Sequence, residues 1–168
     1  MIVLPHFQGS YSPWMDPSAT GVILGMRLAT TREEFIKAIL EGTTFELRAN
    51  IERLEHAGIP VTGLRATGGG ARSDQWLQLK ADITGKPVAA INVDETGCFA
   101  AACMAGVGAG LFASADEPIR AWVRPVRTFE PGRVRHQAYG PIFADYLELY
   151  RAVSPVSHSV TARRRQAP

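Results

Sequence analysis

Leu64-Arg65-Ala66-Thr67-Gly68-Gly69-Gly70-Ala71-Arg72-Ser73-Asp74-Gln75-Trp76-Leu77 is the stretch from which the fold can be read. Residues 64–67 read as a short strand, and the three glycines after them permit a tight turn in which the main chain is bare. A helix is expected over residues 74–84, with Trp76, Leu77 and Ile83 apolar and Gly85 as its stop. Residues 87–93, rich in Val, Ile and Ala, then read as a buried strand. The order is strand, glycine turn, helix, strand. With parallel strands that is one crossover unit, and the chain is expected to be α/β. Uncovered amides at the turn and the positive end of the following helix suit a phosphate or the sugar edge of a nucleotide. An ordinary tight strand-to-helix turn is the competing reading of the same residues.

A dinucleotide site is a further alternative, because Gly68-x-Gly70-x-x-Ser73 approximates that fingerprint and Asp94 could meet a ribose hydroxyl. Against it, Ser73 stands where the third glycine belongs, and a long helix precedes the strand. A P-loop is excluded, since no Gly-Lys-Ser/Thr follows the glycines.

Upstream, Thr31 and Glu34 form a Thr-x-x-Glu capping box that opens a helix. Ile36, Ile39, Leu40, Thr43, Leu47, Ile51 and Leu54 recur at three- and four-residue steps and predict its apolar stripe; Gly58 and Pro60 end it. Gly42 inside that helix costs about 1 kcal/mol relative to alanine, which points to close approach of a neighbouring backbone. The first thirty residues, punctuated by Pro5, Pro13 and Pro17, read as loop with short strands near residues 2–4 and 22–26. Downstream, residues 97–112 are nearly all small and apolar and predict a helix lying close against a sheet. A short helix is expected over residues 115–123 and an extended, proline-punctuated loop over 124–132. Tyr139, Ile142, Phe143, Tyr146, Leu147 and Tyr150 mark a last amphipathic helix ending before Pro155. The domain is thus expected to span residues 1–153, with residues 154–168 a disordered basic tail.

The length of 168 residues fits one domain, and 46% apolar with 20% charged residues supplies a core and a solvated surface. No apolar run approaches the roughly 18 residues of a membrane span, and two cysteines do not make a disulfide scaffold. The net charge of +2 rests on Arg163, Arg164 and Arg165; without these three, 18 basic side chains become 15 against 16 acidic ones. The body therefore carries no footprint for nucleic acid, and neither nucleic acid nor membrane is expected as a partner. The chain reads as soluble and cytoplasmic.

Other polar residues receive structural readings. His6, His56, His136 and His158 have no ligand spacing, so no metal site is expected. Cys98 and Cys103 lie about 140° apart around a helix and read as small core residues. Asp16, Asp74, Asp82 and Asp94 are given no catalytic role, and Asp82 reads as a structural or surface group. Glu41 is expected to hydrogen-bond a loop. Arg72 could face a phosphate or lie along the surface.

Taken in order, several motifs resemble the FGGY family of carbohydrate kinases. Leu4-Pro5-His6-Phe7-Gln8-Gly9, Pro13-x-x-Asp16 and Gly21-Val22-Ile23-Leu24-Gly25-Met26 are similar to the middle of such a kinase. Residues 32–48, with Ala38-Ile39-Leu40-Glu41-Gly42-x-x-Phe45, are similar to a helix of its C-terminal domain. Gly68-Gly69-Gly70-Ala71-Arg72-Ser73-x-x-Trp76-x-Gln78-x-x-Ala81-Asp82 resembles its adenosine motif, most closely in the xylulokinase-like branch. Residues 95–102, with Ala105 and Gly106, are similar to the small-residue helix that follows; Ala100 departs from the usual glycine there, which implies a crowded helix-to-sheet contact. The resemblance covers about residues 2–150.

That resemblance implies a partial RNase-H-like, actin-like ATPase C-terminal domain, with the first strands of the domain missing. It implies ATP and Mg2+ as cofactors, the Mg2+ ligands lying outside this chain. Carried over residue by residue, Gly68, Gly69, Gly70 and Ala71 would line the nucleoside and inner phosphate. Ser73 would stand near the adenine. The family's Asp-x-Gly-Thr-like phosphate loop, second phosphate hairpin, catalytic aspartate and most sugar contacts are not found in this sequence. The chain is therefore expected to be about a third of a kinase for a pentulose or related sugar, a fragment that does not turn over alone. A non-catalytic module that forms a homodimer or complements a separate N-terminal half is the alternative, and a small dinucleotide-binding protein the more remote one.

Overall fold

The computed structural model describes residues 1–166. Its elements are β1 (Ile2–Leu4), β2 (Val22–Leu24), α1 (Arg32–His56), β3 (Leu64–Ala66), a 3-10 turn (Gly69–Arg72), α2 (Asp74–Thr84), β4 (Val88–Ile91), α3 (Thr96–Gly108), α4 (Asp116–Trp122), β5 (Pro125–Phe129) and α5 (Arg133–Gln166). The described residues fall into two compact units, residues 62–81 with 86–131, and residues 1–61 with 82–85 and 132–166.

In the unit that carries the glycines, β3 pairs parallel with β4 through α2, the expected crossover arrangement. Leu77 and Ala81 of α2 and Val88 and Ala90 of β4 are all but fully buried, with Leu64, Ala66 and Phe129 packed against them. Residues 124–132 are not the expected loop. Pro125–Phe129 forms β5, antiparallel to β4, with Val88 opposite Phe129 and Ala90 opposite Arg127. Pro125 opens an edge strand, where its missing N–H leaves no central ladder position unmet. The Asn92 side chain seals the junction, accepting from the Arg124 N–H at 2.7 Å and donating to the Trp122 carbonyl at 3.0 Å.

α3 also departs from expectation. It buries Cys103 and Gly106, but Cys98, Ala100, Ala101, Ala102, Met104 and Ala105 are exposed. Cys98 is thus not a core residue, and the Ala100 methyl crowds no sheet. Small size permits close packing without compelling it.

The other unit is built on α1. Its capping box forms as read: Glu34 N–H donates to Thr31 Oγ1 at 3.2 Å, and Thr31 N–H to Glu34 Oε2 at 2.9 Å. Of the expected stripe Ile51 is buried, but the rest of the buried face runs through Ala38, Gly42, Thr44, Phe45 and Ala49, while Ile36 and Leu54 stay exposed. Gly42 decides that rotation. A Cβ there would lie 2.2 Å from the Val3 carbonyl oxygen, so β1 crosses α1 at its one bare position.

α5 does not end before Pro155. It runs through Pro141 and Pro155 to Gln166, so the expected disordered tail is helical over its described length; Ala167 and Pro168 lie outside the described residues. An interior proline costs a helix about 3 kcal/mol, and side-chain docking offsets it here. Tyr139 donates to Glu41 at 2.7 Å, Tyr146 to Glu46 at 2.6 Å and Tyr150 to Asp16 at 3.0 Å. Beyond Pro155, His158 Nε2 donates to Asp16 at 2.7 Å, Ser157 meets Thr20 at 2.9 Å, and Thr161 donates to the Ser18 carbonyl at 3.0 Å. Asp16 also accepts from the Ser18 N–H at 3.0 Å. Asp16→Ala is therefore expected to speed amide exchange of residues 155–166 by at least tenfold (about 1.4 kcal/mol) while leaving residues 62–81 unchanged, as read by exchange mass spectrometry.

Asp82 proves structural. Its buried carboxylate accepts from the Gly132 N–H at 2.7 Å and pairs with Arg135 at 2.6 Å, holding the start of α5. His136 Nδ1–H donates to the Asp82 carbonyl at 2.9 Å. Glu41 bonds α5 rather than a loop.

Candidate nucleotide site

The three glycines are not equivalent. Gly68 leaves β3 with φ +73°, a left-handed conformation that side chains disfavour. A Cβ on Gly68 or on Gly69 would meet nothing within 4 Å. Gly70 is closed off, for a Cβ there would come within 2.9 Å of the Trp76 ring. Main chain is therefore bare at Gly68 and Gly69 and covered at Gly70 by the chain's own indole. Lys80 lies 4.2 Å from the centre of that indole, and burial pulls its ammonium pKa below the ordinary lysine value.

Ala71 is buried, and its N–H donates to the Gly68 carbonyl at 3.0 Å, closing the 3-10 turn. Its own carbonyl accepts from Arg127 Nη2 at 3.1 Å. Ser73 precedes α2, with its hydroxyl accepting from the Trp76 N–H at 3.3 Å and its carbonyl from the Leu77 N–H at 3.0 Å. Serine in that position meets the orphan amides of the first turn. Arg72 and Asp94 stand 3.9 Å apart, both largely exposed at the mouth of the turn. Gly68 and Gly69 thus share one open face, Gly70 and Ala71 form its packed back, and Ser73 starts the helix beside it.

Sequence reading missed Arg127, since Pro125 and Pro131 made its surroundings look like a loop. The alternation of Val126, Arg127, Thr128 and Phe129 was the available signal. Among the described residues, no group of three or more His, Cys, Asp or Glu could hold a metal ion, and no helix is long and apolar enough to cross a membrane.

The model of the FGGY family of carbohydrate kinases, C-terminal domain, matches residues 1–109. Xylulose kinase of Bacillus subtilis is 32% identical over 165 residues, covering 98% of this chain and 33% of that protein. L-xylulose/3-keto-L-gulonate kinase of Escherichia coli is 37% identical over 153 residues, 91% of this chain and 30% of that one. A solved xylulose kinase structure from Brucella ovis superposes with a TM-score of 0.81 at 29% identity, over 92% of this chain and 32% of that one. The chain spans about a third of the length of the curated relatives it matches.

Proposed function

The chain belongs to the FGGY carbohydrate kinases, matching their C-terminal domain, and on that premise we propose that its glycine turn holds the adenosine and inner phosphate of ATP in a kinase for a pentulose or related sugar. One observation carries the reading: the turn presents uncovered main chain at Gly68 and Gly69, ahead of a serine-capped helix. Bare amides and the helix dipole favour an anionic ligand at such a place. In this assignment Gly68 and Gly69 face the nucleoside, Gly70 and Ala71 shape the turn behind them, and Ser73 stands at the adenine side while capping α2. When bound, ATP supplies the phosphoryl group. Mg2+ enters through the family alone, and this chain's residues are given no part in holding it.

Phosphoryl transfer rests on positioning and on stabilising charge around the moving group. We assign those tasks, and the choice of sugar, to the part of a full-length kinase that this third does not span. By itself the chain binds nucleotide without turning over.

The test follows from Gly69. Since a Cβ there meets nothing within 4 Å, Gly69→Leu should leave stability within about 0.5 kcal/mol of the parent while reducing ATP or ADP affinity at least tenfold (about 1.4 kcal/mol). Calorimetric titration beside urea unfolding measures both. Unchanged affinity in the leucine variant removes the nucleotide from this turn.

The exposed apolar side of α3 favours a second reading, in which the chain is a module completed by a separate polypeptide. Sedimentation of the purified chain alone, monomeric and free of self-association at high concentration, counts against the homodimeric form of it.

A further inference from the structure

We propose that Arg127 is the positioning residue of the glycine turn, setting the turn's main chain in the shape that receives the nucleotide. The proposal rests on the nucleotide reading of the turn. Arg127 belongs to β5, the strand farthest from the turn in the order β3-β4-β5. Register explains how it reaches. Arg127 stands opposite Ala90 of β4, and Ala90 opposite Ala66 of β3. Side chains in one cross-strand row share a face of the sheet. Ala66 and Ala90 of that row pack against Leu77 and Ala81 of α2, so Arg127 projects from the face that α2 covers, on which the start of that helix lies.

At the far end the guanidinium spans two anchors. Nη2 donates to the Ala71 carbonyl at 3.1 Å, within the 3-10 turn, and Nη1 pairs with the carboxylate of Asp74, the first residue of α2. The planar fork of arginine suits this two-point hold, whereas a lysine ammonium is a single point charge. Together the anchors tie the end of the 3-10 turn to the start of the helix, the span Ala71 to Asp74 that lies one residue beyond the open glycines. Arg127 itself is given no contact with the ligand. Its effect passes through Ala71, the residue whose carbonyl it holds and whose N–H donates to the Gly68 carbonyl at 3.0 Å. The position of the Gly68–Gly69 main chain is thereby coupled to a side chain two strands away.

The experiment compares the parent chain with Arg127→Ala, Arg127→Lys and Asp74→Asn, using ADP as the probe. Amide exchange is followed over residues 68–76, with and without ADP, alongside thermal unfolding. In the parent, ADP is expected to slow exchange at residues 68–71. Arg127→Ala should speed exchange there about tenfold and weaken ADP about tenfold, with the exchange of residues 88–91 unchanged. Arg127→Lys should restore part of both, and Asp74→Asn, which removes the charge of one exposed anchor but keeps an acceptor oxygen, should show the same pattern more weakly. Should Arg127→Ala fail to fold, Asp74→Asn and Arg127→Lys carry the test. The proposal is overturned if the variants leave exchange at residues 68–71 and ADP affinity as in the parent, or speed exchange uniformly in step with a lowered unfolding temperature. Absence of ADP-dependent protection in the parent overturns the nucleotide reading itself, and with it the ligand half of this proposal, whatever the variants do to the turn.

Discussion

Glu46→Leu is expected to lower the unfolding free energy by about 3–5 kcal/mol. Glu46 lies on α1 with its carboxylate mostly shielded from solvent. It accepts from His6 Nε2 at 3.3 Å, Ser10 Oγ at 3.0 Å, Trp14 Nε1 at 3.2 Å and Tyr146 at 2.6 Å. These donors come from the first loop and from α5, so one carboxylate gathers three segments distant in sequence. Leucine fills a similar volume but strands the donors, and Tyr146 is fully buried with no water to turn to. His6 is already short of one partner, its Nδ1 being buried without a hydrogen bond. Glu46→Gln keeps an acceptor oxygen and should cost about half as much. Urea unfolding at neutral pH measures both, and a leucine variant within 1 kcal/mol of the parent contradicts this account.

The same carboxylate gives stability a pH dependence whose sign is fixed. Burial alone would raise the Glu46 pKa, but hydrogen bonds from His6 and Tyr146, the charge of His6 and the Trp14 indole outweigh it and hold it below the ordinary 4.5. Asp16 behaves alike: burial opposes, yet bonds from His158, Tyr150 and Ser18 and the charge of His158 keep it below 3.8. A depressed folded pKa means that on acidification the unfolded chain takes up the proton first. The stabilisation is complete above pH 4.5 for Glu46 and above 3.8 for Asp16, and is lost as pH falls through the lower folded values. Glu46→Leu should therefore flatten the acid limb of the unfolding midpoint against pH.

Gly42→Ala should destabilise by about 1–3 kcal/mol, opposite in sign to the roughly 1 kcal/mol that helix propensity alone would return. The new methyl would sit 2.2 Å from the Val3 carbonyl oxygen and 3.2 Å from its carbon, both backbone atoms that no rotamer change moves aside. Val3 is buried in the strand that crosses here, so relief requires lifting β1 from α1. Gly69→Ala is the internal control. Its Cβ meets nothing, so stability should stay within about 0.5 kcal/mol. Thermal unfolding of the two variants side by side separates a glycine needed for packing from one whose surroundings are open.

Local chemistry made the framework legible. The Thr31 and Glu34 box, the strand before the glycines and α2 with its stop at Gly85 all follow from residues within a few positions of one another. Motif order carried the family in the same way, because glycine runs and small-residue helices keep their spacing along the chain. Distant contacts decided the rest. Which side of α1 is buried depends on β1 finding Gly42, and periodicity weighed the larger Ile36 and Leu54 instead. That α5 continues through Pro155 depends on Asp16, Ser18 and Thr20, more than 130 positions away. β5 exists because β4 offers it an edge, and only then does Arg127 come over the glycine turn. Sequence alone determined the elements whose causes are short-range; faces, helix ends and the support of the site were settled by tertiary structure, since their energies come from partners that the linear order does not place side by side.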